Sequence, residues 1–176
     1  KDDWKQIESM LSAIAKRLED AGAECIIICS NTPHLVADNI QQKIKTPLLH
    51  IAEETAKEIV RQQVTKVGLL GTKFTMENSF FRDRLEKFGL EPIIPCIADR
   101  DFVHRSIFNE LTKGVLSNET KNKYLNIIEK LQKEGVQGIV FGCTEIALLV
   151  KQTDCNVTVF DTTEIHSKAA VDFALN

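Results

Sequence analysis

Apolar residues recur along the chain with two alternating spacings. Trp4, Ile7, Met10, Leu11, Ile14 and Leu18 return every three or four positions, which predicts a helix that Gly22 can end. Cys25 to Ile28 follows as a short unbroken apolar run of the kind buried parallel strands show. The exchange then repeats. Helices are predicted over 34–44, 52–64, 75–88, 99–111, 118–134, 144–150 and 164–175. Strands are predicted within 46–51, 66–72, 90–95, 138–141 and 157–161. Such βα alternation points to an α/β fold with mainly parallel sheets flanked by helices.

Two stretches of this pattern look like copies of one unit. Laid without a gap on "AGAECIIICSNTPHLVA", which starts at Ala21, "EGVQGIVFGCTEIALLV", which starts at Glu134, brings Gly135 onto Gly22, an offset of 113. Ile127 then falls on Ile14, Leu131 on Leu18, Ile139 on Ile26 and Leu148 on Leu35. Two pseudo-symmetric lobes with a cleft between them are therefore expected, one spanning 1–63 plus 160–176 and the other 64–159. The segment "VGLLGT" (67–72) opens the second copy, and its counterpart would lie before residue 1. The expectation is that a strand region of roughly 50 residues is missing from the first lobe.

The register also bears on a thiol and a hydroxyl that stand side by side. Ser30 meets Cys143 and Cys29 meets Gly142. Ser30 and Cys143 thus share one place, after a parallel strand and before a helix, the edge at which ligands bind in open α/β sheets. Cys29 is expected to point back into the sheet as a small apolar residue, and Cys25, Cys96 and Cys155 are read the same way.

Composition removes several function classes. The net charge of −3 and a pI near 5.9 leave no basic footprint for nucleic acid. No apolar run approaches the ~20 residues that span a bilayer, so no membrane partner is expected. Five cysteines without paired spacing argue for a reducing, cytoplasmic setting. Cys25, Cys29 and His34 fit no zinc spacing, and no metal is expected.

A thiol and a hydroxyl facing each other across a cleft can remove a proton from one face of a carbon and return one to the other. Cys143 suits the first task, its pKa expected to fall at the start of the following helix. Asn31, Thr32, Thr144 and Glu145, with Thr72 and Thr75 from "GTKFT", would bring polar groups to an anionic substrate. The same residues would equally serve as helix caps or first-turn acids, and His34 and His166 read as surface positions.

"CSNTPH", "VGLLGTKFTME", "FGCTEIALLV" and "VFDTTEIHSKAAV" resemble the aspartate/glutamate racemases, cofactor-independent amino-acid racemases. The resemblance runs over nearly the whole chain, and that family's fold of two pseudo-symmetric lobes around the substrate agrees with the repeat. It implies that the two bases are Ser30 and Cys143. Many members carry cysteine at the first position, so this chain is similar to a subset with a hydroxyl residue there. The resemblance further implies a first-lobe strand and glycine-rich loop absent here, no cofactor such as pyridoxal phosphate, a dicarboxylic amino acid as substrate, and a possible homodimer. Because serine ionises far less readily than cysteine, an L-aspartate or L-glutamate racemase with unequal kinetics in its two directions is expected. Lys113 or a basic residue of the missing part would hold the distal carboxylate. Two other readings stand beside it: an arylmalonate decarboxylase-like or maleate isomerase-like enzyme of the same superfamily, and a carboxylate-binding module without chemistry.

Overall fold

The computed structural model describes residues 3–175. Helix α1 (Trp4–Asp20) starts at Asp3, whose side chain accepts from the Gln6 N–H at 3.0 Å. Strand β1 (Ile26–Ile27) leads into a 3-10 helix, Thr32–Val36, that runs on into α2 (Ala37–Gln41). Strand β2 (Leu48–Leu49) and α3 (Ile51–Arg61) follow. Then come β3 (Lys66–Leu70), α4 (Lys73–Glu77), α5 (Ser79–Lys87), β4 (Glu91–Ile93) and α6 (Ile97–Asn109). After a 3-10 turn at Leu111–Lys113 the chain forms α7 (Asn118–Lys133), β5 (Gly138–Phe141), α8 (Ile146–Leu149), β6 (Thr158–Asp161) and α9 (Thr162–Leu175). Among the described residues no helix is long and apolar enough to cross a membrane.

The strands form two parallel sheets among the described residues. One pairs β1 with β2; the other has the order β4-β3-β5-β6. In the larger sheet all of β5, and β3 from Val67 on, are buried, which is why both read as unbroken apolar runs. Its core includes Leu69, Leu70, Val140, Phe141 and Phe160, with Tyr124, Ile127 and Leu131 from α7. Ile51, Ala52, Ala56 and Ile59 of α3 belong to this core as well. A smaller core gathers Ala15, Ile26, Val36, Ile40 and Ile44 beneath α1. Helix α9 packs on α3 and β2. The expected boundary at 159/160 falls inside β6, and residues 1, 2 and 176 of the expected lobe ranges lie outside the described residues.

The repeat is visible in the backbone. The offset of 113 carries α1 onto α7 and β1 onto β5. Gly22 and Gly135 both have positive φ, 92° and 88°. Their helices end with matching hydrogen bonds: Gly22 N–H to Glu19 C=O and Ala23 N–H to Leu18 C=O, against Gly135 to Gln132 and Val136 to Leu131. The pairing of β1 with β2 is repeated as β5 with β6.

The copies differ in what covers them. Leu131 lies against Gly68 of β3, and Ile127, Leu131 and Val140 are 3%, 1% and 0% exposed. Their counterparts Ile14, Leu18 and Ile27 are 37%, 46% and 41% exposed, because among the described residues no strand stands beside β1 as β3 stands beside β5. The contrast extends to Cys29, which is exposed rather than turned into the sheet. At its counterpart Gly142 a Cβ would lie 3.1 Å from Leu69 Cδ1 and from Thr75 Cγ2. Cys29 meets no such wall. Cys96, expected to be buried, is also exposed, at the N-terminus of α6.

Three helix predictions are corrected. Residues 75–88 are not one helix: Asn78, with ψ of 149°, separates α4 from α5. The helix expected over 34–44 begins as the 3-10 turn, and the one expected over 144–150 shrinks to α8. His34 and His166 are not on the surface but are 2% and 4% exposed.

Candidate active site

The carboxyl ends of β3 and β5 lie side by side. The Gly142 N–H donates to the Leu70 carbonyl at 2.7 Å, and a Cβ at Gly71 would stand 3.0 Å from the Gly142 carbonyl oxygen. Only glycine lets the two loops approach so closely. The loop after β3 carries Thr72, the N-cap of α4. Its hydroxyl accepts from the Thr75 N–H at 3.3 Å and lies 3.2 Å from the Thr75 hydroxyl. Thr75 is fully buried, with its methyl against Gly142, whereas Thr72 is half-buried.

The loop after β5 carries Cys143, Thr144 and Glu145, all half-buried. The Cys143 thiol donates to Glu145 Oε2 at 3.0 Å, and the Thr144 hydroxyl donates to the same oxygen at 2.7 Å. Thr144 thus supports the carboxylate rather than capping α8. The expectation that the helix start would lower the thiol's pKa is overturned. Burial, and then the hydrogen bond to the anionic Glu145, push Cys143 up to about 12. Burial works against the Glu145 anion, but the bonds from Cys143 and Thr144 outweigh it and hold that carboxyl below its usual range. Glu145→Gln removes the anion and should speed alkylation of Cys143 by iodoacetamide at pH 8 roughly tenfold, one pKa unit's worth of thiolate. An unchanged rate in a folded variant would show that Glu145 does not govern the thiol.

The loop after β1 reaches the end of β5 through one side chain. The Thr162 hydroxyl, at the start of α9, donates to the Phe141 carbonyl at 2.8 Å and accepts from Asn31 Nδ2 at 3.1 Å. Asn31 is 4% exposed, and its Oδ1 has no hydrogen-bond partner among the described residues. Ser30 is exposed beside it, and Thr32 is half-buried at the first position of the 3-10 helix.

Beneath Ser30 lie three buried histidines. His34 Nε2 accepts from the Ile51 N–H at 3.2 Å, so Nδ1 carries the proton and donates to the Ser30 carbonyl at 2.8 Å. His50 caps α3 through Nδ1, which accepts from the Ala52 N–H, and His166 Nε2 donates to the Leu49 carbonyl. Burial lowers His34 to about 4 and His50 to about 3. The rings of His50 and His166 stand 4.7 and 5.6 Å from that of His34.

Sequence reasoning assigned no role to Thr162, His34 or His50. Thr162 and His166 sit within "DTTEIH", but the residues they bond are far away in the chain.

A family model described as Asp/Glu/Hydantoin racemase matches residues 1–170. The chain belongs to the Asp/Glu/hydantoin racemase family. Membership places it among isomerases of the amino-acid racemase class. It is 51% identical to an Asp/Glu racemase-type protein of known structure from Yersinia pestis, covering 99% of this chain and 76% of that one with a TM-score of 0.95. It is 40% identical to an aspartate racemase homologue from Pyrococcus horikoshii, covering 100% and 77%, with a TM-score of 0.92. The broad specificity amino-acid racemase RacX of Bacillus subtilis is 26% identical over 96% of this chain and 73% of its own length.

Proposed function

We propose that this racemase-family chain inverts the α-carbon of an acidic amino acid, aspartate or glutamate, with Cys143 and Ser30 acting on opposite faces. The observation that carries the reading is the equivalence of these two residues in the repeated unit, each on the loop that leaves its strand. The substrate's hydrogen donors are those of its ammonium group, and Asn31 Oδ1 is a buried acceptor in want of a donor. The α-carboxylate would take backbone N–H groups of the Asn31–Thr32 and Thr144–Glu145 segments and the Thr72 hydroxyl. Thr75 would hold Thr72 in place. The five unpaired thiols suit a reducing cytoplasm.

The contacts around Cys143 support the following proton steps. At neutral pH Cys143 is a thiol, and thiolate formation in the empty site would cost roughly 7 kcal/mol. The substrate ammonium offsets part of that cost by bringing a positive charge. The S–H proton leaves to water by way of Glu145, 3.0 Å away, and is recovered when water reprotonates Ser30. The thiolate then takes the α-hydrogen of the L-isomer, and the C–H electron pair moves into the carboxylate as an enolate. Ser30 gives its hydroxyl proton to the other face and is reprotonated from water. The reverse direction needs an alkoxide at Ser30, which is harder to form. The two isomers have equal free energy, so kcat/KM is equal in both directions and the difference falls on kcat and KM separately.

Lys113 is exposed on the 3-10 turn that packs against α8, which supports it as the partner of the distal carboxylate. Lys113→Ala should raise KM for aspartate and glutamate about 10- to 100-fold, the value of a charge-assisted hydrogen bond, and leave KM for alanine unchanged. Equal changes for all three would remove Lys113 from this role. The reading as a whole is tested by chiral chromatography of L-Asp and L-Glu incubated with the protein. D-isomer should accumulate to equality. Release of CO₂ from an arylmalonate, or isomerisation of maleate, without any amino-acid inversion would replace it.

A further inference from the structure

We infer that Thr162 is a positioning residue of this site, holding the Ser30 loop against the strand that carries Cys143 and fixing which way the Asn31 amide faces. The inference rests on the two-base reading above. Thr162 is fully buried at the first position of α9, and its hydroxyl is already engaged on both sides, by the Phe141 carbonyl and by Asn31, so it does not touch substrate. Its single proton goes to the Phe141 carbonyl, two residues before Cys143. It can therefore meet Asn31 only as an acceptor, and only the NH₂ end of that amide can serve it. The Asn31 Oδ1 is left at the other end, buried and without a partner among the described residues.

One hydroxyl thus does two things. It ties the loop bearing Ser30, through Asn31 131 residues earlier in the chain, to the end of β5, and so sets the separation of the two bases. It also selects the amide orientation that presents an acceptor to an ammonium group. Without it the amide has no reason to prefer that orientation, and a flipped amide would turn N–H groups toward the ammonium. Both enantiomers keep their ammonium in the same place while the α-hydrogen changes side. Loss of the hydroxyl should therefore weaken both isomers alike, unlike a change at Ser30 or Cys143.

Thr162→Val keeps the shape and removes the hydroxyl; Thr162→Ser keeps the hydroxyl. The valine variant should raise KM for the L- and D-isomers by about tenfold or more and lower kcat in both directions. The serine variant should return the constants to within about threefold of the parent. A valine variant with lowered thermal stability but unchanged constants per folded molecule would make Thr162 merely structural and overturn the inference. A second readout does not depend on catalysis. The Asn31 side-chain NH₂ signals in ¹H–¹⁵N NMR, assigned by their loss in Asn31→Asp, should be slow to exchange with water in the parent and fast in Thr162→Val. Unchanged exchange overturns the inference. A parent that inverts no amino acid would instead refute the two-base reading, and the amide signals would still decide whether Thr162 holds Asn31.

Discussion

Cys143→Ala should abolish interconversion of the two isomers while the protein stays folded. The substitution removes the sulfur that we propose takes the α-hydrogen of the L-isomer, and general acid–base groups of this kind are worth about 10² to 10⁴ in rate. The upper end is expected because the loop offers no substitute. The nearby Glu145 carboxylate, which keeps the Thr144 donor in the variant, is a weaker base than a thiolate. Stability should change little, since Thr144 still satisfies Glu145 and Cys143 is only half-buried. Cys143→Ser would be nearly as inactive, a second alcohol being no easier to ionise than Ser30. Retention of more than a tenth of the parent's turnover in the alanine variant would mean that the sulfur is not the base. The comparison is read from parallel time courses by chiral chromatography, normalised to folded protein by circular dichroism.

The second large effect is on stability and comes from the histidines under Ser30. In the unfolded chain these imidazoles titrate near 6.5; in the fold His34 gives up its proton down to about 4 and His50 down to about 3. The unfolded state therefore binds more protons through this range, and stability rises with pH. No penalty exists above pH 6.5. It grows as pH falls and is complete only below the folded values. The two sites together are worth on the order of 8 kcal/mol, comparable with the whole stability of many domains. The groups facing them add to the effect: His166 from α9 and the Arg84 guanidinium from α5, itself paired with Asp38 and Glu53. Denaturant unfolding should show a steep loss between pH 6.5 and 4, before most carboxylates titrate. His50→Asn keeps a good N-cap and removes one titrating ring, so it should flatten the slope. An unaltered slope would clear His50 of responsibility.

Much of this arrangement could be read from local pattern. The repeat was legible because helix, glycine stop and buried strand each leave a periodic or compositional mark, and both copies keep the same register. Ser30 and Cys143 could be paired for that reason alone. Other features depend on distant contacts that no local pattern carries. His34 looks like a polar residue at a helix start until Ile51 and the Ser30 carbonyl take its two nitrogens. Thr162 looks like the first residue of a helix until Asn31 and Phe141 are found on either side of it. The Cys143 thiol departs from its expected acidity because the carboxylate of the neighbouring Glu145, in sequence a candidate substrate group, turns back onto the sulfur. Cys29 is exposed because its burial requires a second strand on the side of β1 away from β2, and among the described residues none stands there.

The most direct test of opposed bases is the fate of L-aspartate with Ser30→Ala in D₂O, followed by proton NMR and chiral chromatography together. Cys143 remains, and on the proposed reading it faces the α-hydrogen of the L-isomer, so that hydrogen should wash out for deuterium while the recovered aspartate stays L. Appearance of D-aspartate at the parent's rate, or no exchange at all in a folded variant, would contradict the assignment of one residue to each face.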